Sequence, residues 1–362
     1  MVEITAAVLH GRGEAFRIER VRLDEPRAGE ALVRLVASGI CATDIHIQRQ
    51  EYWFPLPAVL GHEGAGLVEK VGPGVTAVEP GDHVVLGYAY CGHCQACLAG
   101  RPYDCERNDE LNWGGRMADG TSRLSQNGRA LAVLFGQSSF ATHAVVGENN
   151  LVKVERDLDL RMLAPLGCGI QTGAGTVFNH FRAGAGDTVA VFGAGAVGLS
   201  AVMAARVAGC AVIAAVDVRD SRLALAAELG ATHTLNAGEG DAAAAIKRIT
   251  GGGADYALEA SGRGDVGAQA VRALKPGGKL AYVSAPPSLA GADAAQARGL
   301  TITAIIEGAS VPQAFIPRLI ALYRRGEFPL DRLVSLYPLA EINRAVADAT
   351  SGLAVKPVVV MA

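Results

Sequence analysis

The sequence predicts an α/β protein of two domains, one built on a doubly wound parallel sheet and the other on a β-rich, barrel-like module. Three observations carry this expectation. A chain of 362 residues is long for one hydrophobic core and suits two domains. From about Gly184 to Pro287, strand-like and helix-like segments alternate. From Glu3 to about Lys153, short β-type runs are cut by Gly and Pro instead.

In chain order, the N-terminal part offers Ala31–Val36, Gly66–Val71 and Asp82–Leu86 as strands, punctuated by turns such as Gly72-Pro73-Gly74 and Pro80-Gly81-Asp82. Further on, Thr188–Phe192 reads as a buried strand and the alanine-rich Val197–Ala208 as a helix. Ala211–Val216 is the next strand and Ser221–Leu229 the next helix. Strands joined through helices imply right-handed parallel crossovers. After Pro287 we expect an irregular stretch, a helix from about Val311 to Arg325 and a final strand, Lys356–Val360. The tail is compatible with either domain.

Half the residues are hydrophobic, 19% are charged and the formal net charge is −3, with no basic tract. This composition excludes wholesale disorder and argues against nucleic acid as a partner. No apolar run reaches the length of a membrane span. Met1–Thr5 leads directly into a strand with no signal-like segment, so the expected compartment is the cytoplasm. The odd cysteine count in such a compartment speaks against a disulfide framework.

Two motifs carry chemistry by local spacing. Gly193-Ala194-Gly195-Ala196-Val197-Gly198 follows a strand and opens a helix, and Asp217 closes the next strand. Such a turn admits a pyrophosphate at a helix N-terminus, where N–H groups are unpaired. Asp217 suits an adenosine ribose and disfavours a 2′-phosphate, so NAD is expected over NADP, with Arg219 softening that choice. Cys91, Cys94, Cys97 and Cys105 supply four thiolates from one loop, enough for a closed structural zinc. An iron–sulfur cluster is also compatible with the spacing. His93 is surplus to four sulfurs and is expected to be an exposed polar residue. Cys41, His62 and Cys168 lie far apart, and taken singly each reads as a packing residue.

Together these motifs, with Gly61-His62-Glu63 and its glycines and Cys41-Ala42-Thr43-Asp44-Ile45-His46, occur in an order that resembles the zinc-dependent medium-chain alcohol dehydrogenases. Within that family the chain is most similar to bacterial aryl-alcohol (benzyl alcohol) dehydrogenases, on Phe135–Thr142, Leu166–Gly175 and Glu307–Pro317. The resemblance implies a GroES-like catalytic domain over residues 1–170 and 307–362, with the zinc lobe at about 91–105. It implies a Rossmann NAD-binding domain over 171–306. It implies two zinc ions per chain, NAD, and assembly as a homodimer or homotetramer.

By the same resemblance Cys41, His62 and Cys168 bind the catalytic zinc, with Glu63 nearby and Asp44 orienting His62. Thr43 and His46 form a proton relay. Thr172 and Val197 pack on the nicotinamide, and Arg222 helps hold the adenosine ribose. Ala42 stands where some members carry a basic residue for the pyrophosphate, so Lys356 is expected to contribute there. Cys210 matches no ligand position. Tyr52, Trp53, Leu134 and Phe135 are expected to line the substrate channel and to favour flat, apolar primary alcohols.

The expected reaction is reversible oxidation of primary aromatic or allylic alcohols to aldehydes. Terpene alcohols of the geraniol or perillyl type and aliphatic alcohols are the alternative substrates. A glutathione-adduct substrate fits less well, because Glu106, Asp109 and Glu110 follow the lobe, although Arg107 and Arg116 stand among them. A non-catalytic coenzyme-binding protein is the remote alternative, and it would not need all three open-site ligands.

Overall fold

The computed structural model describes residues 1–283 and 299–361. The expected change of texture at Pro287 lies outside the described residues. The chain forms two compact units. The first comprises Met1–Cys168, Val311–Ile320 and Asp331–Ala362, and the second Gly169–Ser310 and Ala321–Leu330. The first boundary thus follows Cys168, ahead of the expected residue 170. The reason lies in the helix Gly169–Gly175, where a Cβ on Gly173 would stand 1.9 Å from the Val197 carbonyl oxygen. That close approach ties the helix to the second unit.

The first unit is built from two sheets of six and seven strands. Its organising strand is Glu30–Gly39, which pairs antiparallel with Gly64–Val71, His143–Gly147 and Lys356–Val360. Apolar side chains fill its inner face, with Ala31, Val33 and Leu35 all buried. The C-terminal strand adds to one edge of it with Val358 opposite Gly39. On the other edge the Gly39 N–H donates to the Glu63 carbonyl at 3.0 Å, while on the side of the C-terminal strand the Ile40 N–H donates to the Pro357 carbonyl at 2.9 Å. Residues 39–41 are therefore held between Glu63 and Lys356, which sets up the site below.

The second unit carries a six-stranded sheet in the order His233–Asn236, Val212–Asp217, Thr188–Phe192, Ala254–Glu259, Leu274–Tyr282, Thr301–Ala304. All five pairings are parallel. Thr188–Phe192 is buried at four of its five residues, as a central parallel strand covered on both faces must be. The chain winds outward from that strand in both directions, so the order reverses between Thr188–Phe192 and Ala254–Glu259. Ligands of such sheets bind at this reversal, outside the carboxyl ends of the strands.

The stretch expected to be irregular contains the edge strand Thr301–Ala304, too short to be recognised before its partner was known. The helix after it runs Pro312–Arg324 and the last strand Lys356–Val360. Among the described residues, no helix is long and apolar enough to cross a membrane.

Candidate metal centres and coenzyme turn

Cys41 ends the loop after Glu30–Gly39 and caps the helix Ala42–Gln48. The Asp44 carboxylate closes that helix start by accepting the Cys41 N–H at 3.0 Å. Its other oxygen accepts the Gly61 N–H at 3.0 Å and pairs with His62 Nδ1 at 3.2 Å. Asp44 and His62 are both buried, so this contact sets the ring's orientation. Gln137, also buried, donates to the His62 carbonyl at 3.0 Å and accepts the Gly64 N–H at 3.2 Å, fixing the loop on its far side.

With Nδ1 engaged, His62 Nε2 is buried without a hydrogen-bond partner in the structure. Leaving such an atom unsatisfied costs on the order of 1–3 kcal/mol. One donor atom from each of Cys41, His62, Glu63 and Cys168 lies within 4.8 Å of the others. Nitrogen and sulfur donors at that spacing suit a tetrahedral zinc, and they give the orphaned Nε2 a partner.

The electrostatics follow the same plan. The Cys41 thiol is held well below its ordinary range by the Cys168 thiol, against burial and with help from His62 and Lys356. Burial opposes charge on His62, and the Asp44 carboxylate overrides it and raises the imidazole. Burial pushes the Glu63 carboxyl up, while Lys356 opposes that rise. Lys356 Nζ donates to both Glu63 oxygens, at 2.8 and 3.0 Å, and to the Ile40 carbonyl at 3.2 Å.

The second cluster is the loop Cys91–Cys105. Its four sulfurs also lie within 4.8 Å of one another, and all are free thiols. Backbone N–H groups already point at them: Cys91 N to Cys105 Sγ at 3.4 Å and Cys94 N to Cys91 Sγ at 3.3 Å. Backbone N–H groups at Cys97 and Glu106 draw the Cys94 thiol down to about 6. His93 is exposed, with Nδ1 2.8 Å from the Cys91 carbonyl, and takes no part in the four-sulfur group. Cys210 is buried in the second unit, and burial pushes its thiol up to about 11.

In the second unit the turn Gly193–Gly198 leaves the strand Thr188–Phe192 and opens the helix Ala196–Ala208. Gly193 has φ +95°, and a Cβ on Gly198 would stand 1.8 Å from the Gly193 carbonyl oxygen. Both positions therefore require glycine. A Cβ on Gly195 would meet nothing within 4 Å, so the cradle in front of this helix N-terminus is open to a ligand's phosphates. Asp217 sits at the end of Val212–Asp217, accepting the Ala194 N–H at 2.7 Å and the Arg219 N–H at 3.0 Å. Arg222 is buried nearby; burial lowers its basicity, while the Asp217 charge opposes that shift. Thr172 and Val197 lie on the two helices brought together at Gly173.

Comparison with known proteins agrees with this geometry. Residues 27–156 match the family described as alcohol dehydrogenase GroES-like domain, and residues 196–324 match zinc-binding dehydrogenase. A geraniol dehydrogenase of Castellaniella defragrans is 43% identical, over 99% of this chain and 98% of the relative. The chain belongs to the zinc-dependent medium-chain alcohol dehydrogenases.

The solved benzyl alcohol dehydrogenase of Acinetobacter calcoaceticus is 44% identical, with a TM-score of 0.96 and full coverage of both chains. A zinc-binding alcohol dehydrogenase domain protein of Burkholderia ambifaria is 50% identical with the same TM-score, covering 100% of this chain and 99% of that one. Dehydrogenases of this family use zinc and NAD, and the donor sets and the glycine cradle above fit both.

Two residues expected at the site of this dehydrogenase have notable surroundings in its structure. Lys356, expected near the coenzyme phosphates, directs its three ammonium donors at the two Glu63 oxygens and the Ile40 carbonyl. Trp53, expected at the substrate channel, is 77% exposed. The chain turns outward after Tyr52, which alone of the pair packs against the core of the first unit.

Trp113, which the sequence reading overlooked, joins a series of aromatic rings beside His62. Rings run from His62 to Phe135 at 4.7 Å, to Trp113 at 5.6 Å, to Tyr52 at 6.1 Å and to His46 at 4.7 Å. Phe135 adopts φ +53°, a conformation costing a non-glycine residue about 1–3 kcal/mol, and its ring is thereby laid on His62. Leu134 beside it is fully buried. A tryptophan shortly after Cys105, one of only two in the chain, was the available signal for Trp113. Glu51 was likewise missed; its carboxylate meets His46 Nδ1 at 2.5 Å.

Proposed function

We propose that this dehydrogenase oxidises primary aromatic and allylic alcohols to aldehydes, reversibly, with NAD. The observation that carries the reading is the continuous run of rings from His62 to His46, which offers a conjugated substrate aromatic surface beside the metal donors. Burying a flat hydrocarbon group against such surface is worth a few kcal/mol, roughly 25 cal/mol per Å². Two similar proteins support it, named for benzyl alcohol and for geraniol. Both substrates carry the hydroxyl one carbon from a π system, and conjugation stabilises the aldehyde formed.

In this reading Cys41, His62 and Cys168 hold the catalytic zinc, and Cys91, Cys94, Cys97 and Cys105 hold a structural one. Zinc, when bound, makes the alcohol hydroxyl more acidic and polarises an aldehyde, and NAD takes the hydride. Asp44 keeps the His62 ring aimed. Thr43, whose hydroxyl lies 3.7 Å from Cys41 Sγ, receives the substrate proton, and the partly exposed His46 delivers it to solvent. Glu63, pinned by Lys356, supplies a carboxylate beside the sulfur and nitrogen donors. Asp217 and Arg222 meet the adenosine ribose, and Thr172 with Val197 backs the nicotinamide.

The test is a comparison of kcat/KM for benzyl alcohol, cinnamyl alcohol, geraniol and ethanol with NAD. The conjugated alcohols are expected to exceed ethanol by at least about tenfold, a gap of about 1.4 kcal/mol. Parity with ethanol sinks the substrate class.

A further inference from the structure

We propose that Trp113 determines substrate specificity, and that the four-cysteine lobe is the device that holds it in place. The inference rests on the substrate class proposed above and adds the residue that reads it. Trp113 ends the helix Asn108–Trp113, which begins three residues after Cys105. Three consecutive residues of that helix have three distinct attachments.

Leu111 is buried in the small apolar cluster of the lobe, with Ala89 and Cys105 and against Cys91, Cys94 and Cys97. Asn112, 1% exposed, accepts the Ala89 N–H at 2.9 Å and donates to the Ala89 carbonyl at 2.9 Å and the Asn108 carbonyl at 3.0 Å. Its own carbonyl accepts the Phe135 N–H at 3.1 Å. Trp113, next in sequence, therefore has a rigid backbone and a side chain between Phe135 and Tyr52.

Geometry makes Trp113 the middle of the ring series. It meets Phe135 at an interplanar angle of 67° and Tyr52 at 78°, edge-to-face arrangements that hold the indole at a fixed tilt. Phe135 faces the metal donors through His62, and Tyr52 faces the exposed end through His46. Trp113 is only partly buried, so part of the largest apolar side chain in the series stays open for a ligand. A ligand that lies along this series needs a planar, conjugated body, and the short chain of ethanol does not reach from the donors to the indole. The lobe thus acts at a distance from the reaction: through Leu111 and Asn112 it sets where Trp113 stands.

Two measurements test this. The first uses Trp53→Phe protein, which leaves Trp113 as the single tryptophan, excited selectively at wavelengths beyond tyrosine absorption. Benzyl alcohol, added without coenzyme so that no turnover occurs, should quench or shift the emission saturably, whereas ethanol at equal concentration should not. The second compares wild type, Trp113→Phe and Trp113→Ala in kcat/KM. Trp113→Ala should cut the benzyl-to-ethanol ratio at least about tenfold, mainly through KM for benzyl alcohol. Trp113→Phe should retain part of the ratio.

A wild-type enzyme without any aromatic preference refutes the substrate class. A wild-type preference that survives in Trp113→Ala, or a Trp113 emission indifferent to benzyl alcohol, refutes the role of Trp113. Should Trp113→Ala fail to fold, the fluorescence result decides alone.

Discussion

Replacing Lys356 by Met separates a buried structural charge from a coenzyme contact. Lys356 is 3% exposed and its partner Glu63 is fully buried, with 2.8 and 3.0 Å between the ammonium and the two carboxylate oxygens. Removing one member of a buried pair leaves the other charged and uncompensated, at a cost of about 3–5 kcal/mol. The Ile40 carbonyl loses its donor as well, although the Lys356 aliphatic stem is replaced by a side chain of similar length.

Had Lys356 bonded the coenzyme pyrophosphate, the lost charge-assisted hydrogen bond would cost about 1.5–3 kcal/mol of binding, a factor of roughly ten to more than a hundred in KM for NAD. The geometry predicts the reverse pattern. Urea unfolding of the zinc-loaded, coenzyme-free variant should show the stability loss. KM for NAD should stay within about threefold, and Lys356→Met with Glu63→Gln should recover most of the stability, since the stranded charge is then gone. A large rise in KM with unchanged unfolding would refute the assignment.

Other expectations follow from the same contacts. Protein purified without chelator should contain about two zinc ions per chain, and iron with sulfide in one site would overturn the lobe assignment. Cys94→Ser should reduce folding yield, whereas Cys168→Ser should leave the fold by circular dichroism and abolish turnover. His46→Gln should depress alcohol oxidation most below neutral pH, where proton removal is hardest; an equal loss at every pH would assign His46 to packing against Tyr52. Asp82 is buried, which raises its carboxyl, yet the Lys153 ammonium at 2.7 Å overrides this and holds it below 3.8. A depressed folded value means stability present above pH 3.8 and lost as pH falls below it. Asp82→Asn should therefore be less stable than wild type at neutral pH, with the gap closing in acid, and a pH-independent gap would contradict this.

Much of the site was legible because its chemistry is local. The Gly193–Gly198 turn and the Cys91–Cys105 loop each complete a binding function within a few residues, so spacing alone reveals them. The strand Thr188–Phe192 was legible for a related reason, being an apolar run between Gly186-Asp187 and Gly193, and Lys356–Val360 through its three consecutive valines. Thr301–Ala304 was not, since a short edge strand gains its identity from the neighbour it pairs with.

Which groups are present, and in what order, is written in the chain: the thiols, the histidines, the glycine turn, and the acid that closes the second strand of the parallel sheet. Which of them meet depends on how the chain folds. Cys41, His62 and Cys168 converge because three separate segments pack around the end of Glu30–Gly39. Lys356 faces Glu63 rather than solvent because the C-terminal strand pairs in one register with that same strand. Trp113 rather than Trp53 joins the ring series because the lobe anchors one backbone and the chain turns the other outward. Side-chain partnership depends on register and burial across distant segments, and no local pattern of residues contains it.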